Sequence, residues 1–291
     1  MEKKKVLLTG GTGFVGRNIL PSFAALHEVT APTRQELDLR DGNAVEKYVK
    51  EGRFDVILHS ANPNPVKNGR CDKPDHMLED SLRIFLNFYR VRHRVEKLLY
   101  LGSGAEYDKT MEISRIKEED AARSVPEDIY GLAKYMMNEL ALKSDNVYNM
   151  RLFACYGPYD HESKFITHCI RCCLRNEAIT IRQNCIFDYL HVYDLGKILL
   201  YAIENPLRHH DYNVGSNQRY SLLEIAEKVK EQMGSREPVV ILKEGWNREY
   251  TPDVSRLEQE TGLIKDFLSL DEGIALQIAH ERKVWDEKKS C

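Results

Sequence analysis

Val6–Gly16, VLLTGGTGFVG, is the stretch whose reading decides the fold. Val6, Leu7 and Leu8, closed by Thr9, form the unbroken apolar run of a strand buried in a parallel sheet. The glycines that follow turn the chain sharply into a helix beginning near Phe14, where Phe14, Val15, Ile19, Leu20 and Phe23 recur at helical spacing. Gly10 and Gly11 permit the bend, Gly13 leaves no Cβ to block a phosphate, and Gly16 lets helix pack on strand. The free N–H groups of the helix start, those of Phe14 and Val15 among them, then meet a pyrophosphate. Such a glycine pattern alone also describes an ordinary turn. Its position after a strand and before an amphipathic helix makes it a dinucleotide site.

With 291 residues the chain suits one large domain with an appended lobe. Apolar residues at 42% and charged residues at 30% describe a soluble globular protein, and a net charge of −3 gives no electrostatic case for nucleic acid. No apolar run approaches the roughly 20 residues that span a bilayer. Met1-Glu2-Lys3-Lys4-Lys5 leads straight into strand residues without the apolar region of a signal peptide, so a cytoplasmic protein without a membrane partner is expected. Seven scattered cysteines argue for a reducing compartment and against a disulfide framework. His168, Cys169, Cys172 and Cys173 could be zinc ligands, but no second Cys-x-x-Cys pair exists. On a helix over about 164–175 the three thiols share one face at core spacing, so they are expected in the core, with no metal.

A second strand follows at 27–33, and Arg34 stands just past its end. An acidic residue there holds the ribose hydroxyls of NAD, whereas Arg suits the 2′-phosphate of NADP through charge-assisted hydrogen bonds. Arg34 thus points to NADP, with NAD the alternative if Arg34 is only a solvated surface side chain. Asp38 and Leu39 come next, at the adenine edge. A helix runs from about 41 to 50; Phe54–His59 is a third strand ending at Ser60-Ala61, where small side chains leave room for the cofactor. A helix over about 74–91 turns Met77, Leu78, Ile84, Phe85, Phe88 and Tyr89 inward, and Lys97–Leu101 is a fourth strand ending in Gly102-Ser103-Gly104. Residues 109–128, polar and acidic, read as a long loop across the mouth of the site. Tyr130 and Lys134 follow near the start of a helix; Val147–Arg151 is a fifth strand, Phe187–Val192 leads into a helix to Asn205, and Tyr212–Ser216 is a last strand and turn. Leu222–Met233, Val239–Leu242 and helices after Pro252 make a smaller lobe. Alternating strand and helix implies an α/β fold with a doubly wound parallel sheet, whose ligands bind outside the carboxyl ends of the strands.

Tyr130 and Lys134 are four apart and project from one helix face. A phenol titrating near 10 is a poor base at neutral pH, but a neighbouring ammonium favours its ionised form. Ser103, 27 residues earlier at a strand end, completes a constellation for proton transfer at a carbon that exchanges hydride with a nicotinamide.

Those pieces, in order, resemble the extended short-chain dehydrogenase/reductases of the NAD(P)-dependent epimerase/dehydratase family. The matching stretches are TGGTGFVG at 9–16, DLRD at 38–41, GSGAEY at 102–107, YGLAK at 130–134, MRLFACYGP at 150–158, FDYLHVYDL at 187–195 and NVGS at 213–216. The resemblance implies a Rossmann fold, Ser103, Tyr130 and Lys134 as catalytic triad, a nucleotide-sugar substrate held by the C-terminal lobe, and a homodimer formed through helices near 76–92 and 128–143. It further implies a cofactor domain of 1–157 with 186–215 and a substrate lobe of 158–185 with 216–291. Ser103-Gly104-Ala105 lacks the two carboxyls of the Thr-Asp-Glu run found in sugar 4,6-dehydratases, and Ala105 replaces the cysteine with which the GDP-fucose synthase branch epimerises C3 and C5. Reduction of a 4-keto group and 4-epimerisation both remain. Ala154 and Asp80 stand where the family often has Asn, and Phe187 stands where an Arg commonly meets the diphosphate; Arg248 resembles a later arginine of that site. The expectation is an NADP-preferring epimerase or reductase acting at C4 of a nucleotide sugar, by family analogy in surface-polysaccharide precursor synthesis. The alternatives are a reductase of a small non-nucleotide carbonyl and a non-catalytic NAD(P)-binding sensor.

Overall fold

The structure, a computed structural model, describes residues 2–63 and 73–289. Its centre is a six-stranded parallel sheet in the order Asp211–Val214, Val147–Leu152, Lys97–Ser103, Val56–His59, Lys5–Thr9, Glu28–Thr30. Val6, Leu7, Leu8, Val56, Ile57 and Leu58 are wholly buried, as strands covered on both faces must be. From Lys5–Thr9 the chain places its next strand on one side and the following one on the other. The reversal opens a crevice beyond Thr9 and His59, where such sheets bind ligands.

Helices Phe14–Leu26 and Val192–Glu204 cover one face through Ile19, Phe23, Leu195, Ile198 and Leu199. Gly42–Gly52, Met77–Val91 and Ile129–Ala141 cover the other through Val45, Val49, Phe85, Phe88 and Met137. Asp41 accepts hydrogen bonds from the N–H groups of Asn43 and Ala44, so the first helix of that layer starts where an Asx cap dictates. Of the residues expected to face inward on the next, Ile84, Phe85 and Phe88 are buried; Met77, Leu78 and Tyr89 are half-buried, and Met77 faces the crevice. A turn of 3₁₀-helix, Pro74–His76, precedes that helix.

A separate core joins Phe165–Arg175, Leu222–Met233 and Leu270–Lys289 over the parallel pair Ile179–Asn184 and Val239–Trp246. Cys169, Cys172 and Cys173 lie in it, buried at the helix face their spacing predicts, and burial pushes all three thiols up. Among the described residues no cluster of three or more His, Cys, Asp or Glu is placed to hold a metal ion, and no helix is long and apolar enough to cross a membrane.

Residues 109–128 are not a loop. Ile113–Ile116 is a strand and Glu118–Arg123 a 3₁₀-helix, with Ile113, Ile116 and Ala121 buried against Tyr107 and Phe153. The strand joins a small mixed sheet ordered Tyr220–Ser221, Ile186–Phe187, Tyr250–Pro252, Ile113–Ile116. Two isoleucines flanking Ser114-Arg115 are too short an apolar signal to read, and the strand that pairs with them, Tyr250–Pro252, lies in a distant part of the chain.

Candidate active site

The glycine turn is built as its sequence requires. Gly10 has φ +74°, a conformation costly for any residue with a Cβ, and a Cβ there would lie 2.9 Å from the Ala61 nitrogen. At Gly16 a Cβ would collide with the Gly10 carbonyl. Ala61 therefore lies directly against the turn, its N–H donating to Thr9 Oγ1 at 3.2 Å. Gly13 caps the helix Phe14–Leu26 with no side chain, so no side chain competes for the N–H groups of the first turn. A backbone with close approach at Gly10, no Cβ at Gly13 and an uncapped helix start fits a dinucleotide diphosphate.

Ser103 ends the strand Lys97–Ser103 and is buried. Asp128 accepts the Gly131 N–H at 2.8 Å and so fixes the first turn of Ile129–Ala141, which carries Tyr130 and, one turn on, Lys134. Ser103 and Tyr130 line one cavity, and the Ser103 hydroxyl draws the phenol's titration down against burial. Lys134 Nζ sits 5.9 Å from the Tyr130 ring centroid and donates to the Leu101 carbonyl at 2.8 Å. The three residues thus share one site, but the electrostatics differ from the sequence expectation. Burial raises the Tyr130 phenol, and burial lowers Lys134 to about 8 while the Glu106 carboxylate draws it back up. The ammonium donates to a carbonyl, and burial dominates both groups.

Beneath them is a charge network that sequence reading passed over. Glu106, wholly buried, accepts the Ser103 N–H at 2.9 Å, Arg151 Nε at 2.7 Å and Asn149 Nδ2 at 2.9 Å. Arg151 reaches Asp211 at 3.0 Å, and Arg256 meets the other oxygen of Asp211 at 2.6 Å. A Cβ at residue 102 would run into both Asn149 and Glu106, so Gly102 is required. Glu106 stands within the GSGAEY stretch; only its zero exposure distinguishes it from a surface carboxylate.

A cleft of about 790 Å³ joins the turn to this site, lined among others by Phe14, Val15, Ser103, Tyr130, Lys164 and Phe187. Its outer wall is aromatic: Tyr250 packs on Phe153 at 5.0 Å and on Phe187 at 5.6 Å between ring centroids. Phe187, where the family commonly has Arg, is a packed hydrophobic residue. Arg248 lines the cleft but is exposed, and its guanidinium donates to the carbonyls of Lys109, at 3.2 Å, and Thr110. Arg34 is exposed four residues past Thr30. Asp38 is held by Arg40 at 3.0 and 3.1 Å, while the Leu39 carbonyl accepts from Asn87 and its side chain packs on the second core layer; neither lines the cleft.

Comparison with known proteins agrees with this fold. The model of the NAD dependent epimerase/dehydratase family matches residues 6–215. A GDP-L-fucose synthase of Azorhizobium caulinodans is 29% identical over 276 residues, covering 87% of this chain and 85% of that one. A UDP-glucose 4-epimerase of Corynebacterium glutamicum is 24% identical, covering 81% and 83%. In fold the chain is similar to a GDP-mannoheptose C4 reductase from Campylobacter jejuni solved with NADP bound, with a TM-score of 0.83 at 19% identity over 97% of this chain and 99% of that one.

Proposed function

Because the chain belongs to the NAD dependent epimerase/dehydratase family, we propose that it exchanges hydride at C4 of a nucleotide-diphosphate sugar, by 4-keto reduction or 4-epimerisation, with NADP as preferred cofactor. The observation that carries this reading is the single cleft running from Phe14 and Val15 at the glycine turn to Ser103 and Tyr130. Gly10, Gly13, Phe14, Val15, Gly16 and Ala61 would hold the dinucleotide diphosphate, and Arg34 the 2′-phosphate. The nicotinamide, when bound, supplies or accepts the hydride. Tyr130 Oη moves the proton at the sugar C4 oxygen, Ser103 Oγ holds that oxygen, and Lys134 binds the nicotinamide ribose and stabilises the phenolate once Tyr130 has given up its proton. With Phe187 unable to pair with a diphosphate, Lys109, Lys164 and Arg248 are the cleft-lining cations left for it among the described residues.

The same reading assigns 1–157 with 186–215 to the cofactor and 158–185 with 216–291 to the sugar. The separate core around Cys169 and Ile274 supports the division, although Leu257 packs back into the first core. We place the enzyme in the cytoplasm as a homodimer pairing through Met77–Val91 and Ile129–Ala141, around which Leu86, Ile129, Met136 and Leu142 are exposed.

The test has two steps. Melting-temperature shifts with UDP, GDP, CDP and dTDP, each with NADPH or NADH, identify the nucleotide; no shift with any diphosphate removes the sugar-nucleotide assignment and leaves a small-carbonyl reductase. NADPH oxidation with a GDP- or dTDP-linked 4-keto-6-deoxyhexose then marks a reductase. Interconversion of UDP-glucose and UDP-galactose with tightly retained cofactor marks an epimerase.

A further inference from the structure

Tyr250 brings a second phenol to the site, and nothing in the proton-transfer chemistry above uses it. Its strand, Tyr250–Pro252, belongs to the small mixed sheet and meets the end of Lys97–Ser103 from the opposite side of the cleft. Phe153 and Phe187 clamp the ring at 5.0 and 5.6 Å, so the direction of its hydroxyl is fixed by packing. The hydroxyl arrives over Gly104. A Cβ there would strike Tyr250 Oη and come within 2.9 Å of the Phe153 ring, so the missing side chain makes the approach possible. Ser103, next in the chain to Gly104, lines the cleft with Tyr250 and Tyr130, and its hydroxyl draws the titration of both phenols down against burial.

A serine hydroxyl has one proton to give and two lone pairs to fill. The Ala105 N–H already donates to Ser103 Oγ at 3.2 Å. Burial and the nearby Glu106 and Tyr130 groups hold Tyr250 protonated, so it is a donor at neutral pH. With Ala105 and Tyr250 both donating, the lone pairs of Ser103 are occupied, and its own O–H is left for Tyr130 or, once substrate is bound, for the reacting oxygen.

We propose that Tyr250 is a positioning residue for Ser103: its phenol, admitted by Gly104, donates to Ser103 Oγ and aims the serine proton at the sugar oxygen. This rests on the C4 hydride-exchange reading. Tyr250→Phe keeps the ring and its packing and removes only the hydroxyl. It should lower kcat roughly 10- to 100-fold, the range for a misaimed reacting group, while KM and NADPH affinity stay at wild-type values. Gly104→Ala, which displaces the same hydroxyl, should lower kcat as well. A readout without substrate is available in protein labelled with 13C at tyrosine Cζ: Ser103→Ala should shift the Tyr250 and Tyr130 resonances and leave Tyr48 unmoved. Wild-type kcat in Tyr250→Phe, or a Tyr250 resonance indifferent to Ser103→Ala, overturns the proposal. A wild-type protein that turns over none of the sugar nucleotides overturns the functional reading instead, and the resonance then decides the hydrogen bond by itself.

Discussion

The floor and the outer wall of the cleft are built by opposite means. The floor is the carboxyl end of the parallel sheet, where Ser103 is pinned from below by Glu106, itself locked to Arg151 and Asn149 with no exposure to water. The wall is assembled from Ile113–Ile116, Ile186–Phe187 and Tyr250–Pro252, short strands from distant parts of the chain, held by ring packing and by rim pairs such as Arg219–Glu249. Buried charge that loses a partner is costly, whereas an exposed pair contributes about 0–1 kcal/mol. The groups that need one geometry therefore stand on the side that cannot relax, with the packed ring of Tyr250 the exception, and the rest of the wall is the side that can change.

The contrast predicts its own failures. On the floor, Tyr130→Phe should cost about 10²- to 10⁴-fold in kcat with cofactor affinity retained; fluorescence titration of NADPH beside turnover checks this, and unchanged turnover would identify a binding protein and not an enzyme. Glu106→Ala leaves Arg151 with Asp211 as its remaining carboxylate partner and takes away the side-chain acceptor of the Ser103 N–H. A loss of about 3 kcal/mol in urea unfolding is expected, with Glu106→Gln losing less because its amide oxygen still accepts from Ser103. Equal stability of the alanine variant would mean that the floor is no stiffer than the wall.

The same contrast explains what could be read from the chain. Val6–Gly16 announced itself because strand, glycine turn and helix are contiguous, and the buried thiols of 169–173 because helical spacing is local. Tyr250 gave no signal: it reaches Ser103 across 147 residues, and only the fold shows that Gly104 leaves room for it. Ile113–Ile116 failed for a related reason, since a four-residue edge strand between acidic segments depends wholly on its partners. For Tyr130 the pairing with Lys134 was legible, but the sign of the phenol shift was not, because burial is a property of the packed site.

Cofactor selection should respond less than catalysis. Arg34→Ala should weaken NADPH relative to NADH by about tenfold, the equivalent of one exposed charge-assisted contact; an unchanged ratio removes Arg34 from the cofactor site. For pH, burial sets Lys134 at about 8, so its ammonium is present below that value and lost as pH rises through it. Affinity for NADPH should then fall about three- to tenfold between neutral pH and pH 9 as a charged donor becomes a neutral one. Lys134→Met should be weaker at every pH and flat across that window; a slope that survives the substitution belongs to another group.

The smallest effect belongs to the wall. Arg248 is exposed and already donates to the carbonyls of Lys109 and Thr110, so a substrate diphosphate would compete with bonds in hand and with water. Its net worth is therefore that of a rim charge, about 0.2–1 kcal/mol. Arg248→Ala should raise KM for the nucleotide sugar by about 1.5- to 5-fold and leave kcat alone, because such a contact is the same in ground and transition states. Should kcat fall as well, the 109–110 segment held by Arg248 shapes the reacting end of the cleft, and the wall would share the stiffness assigned here to the floor.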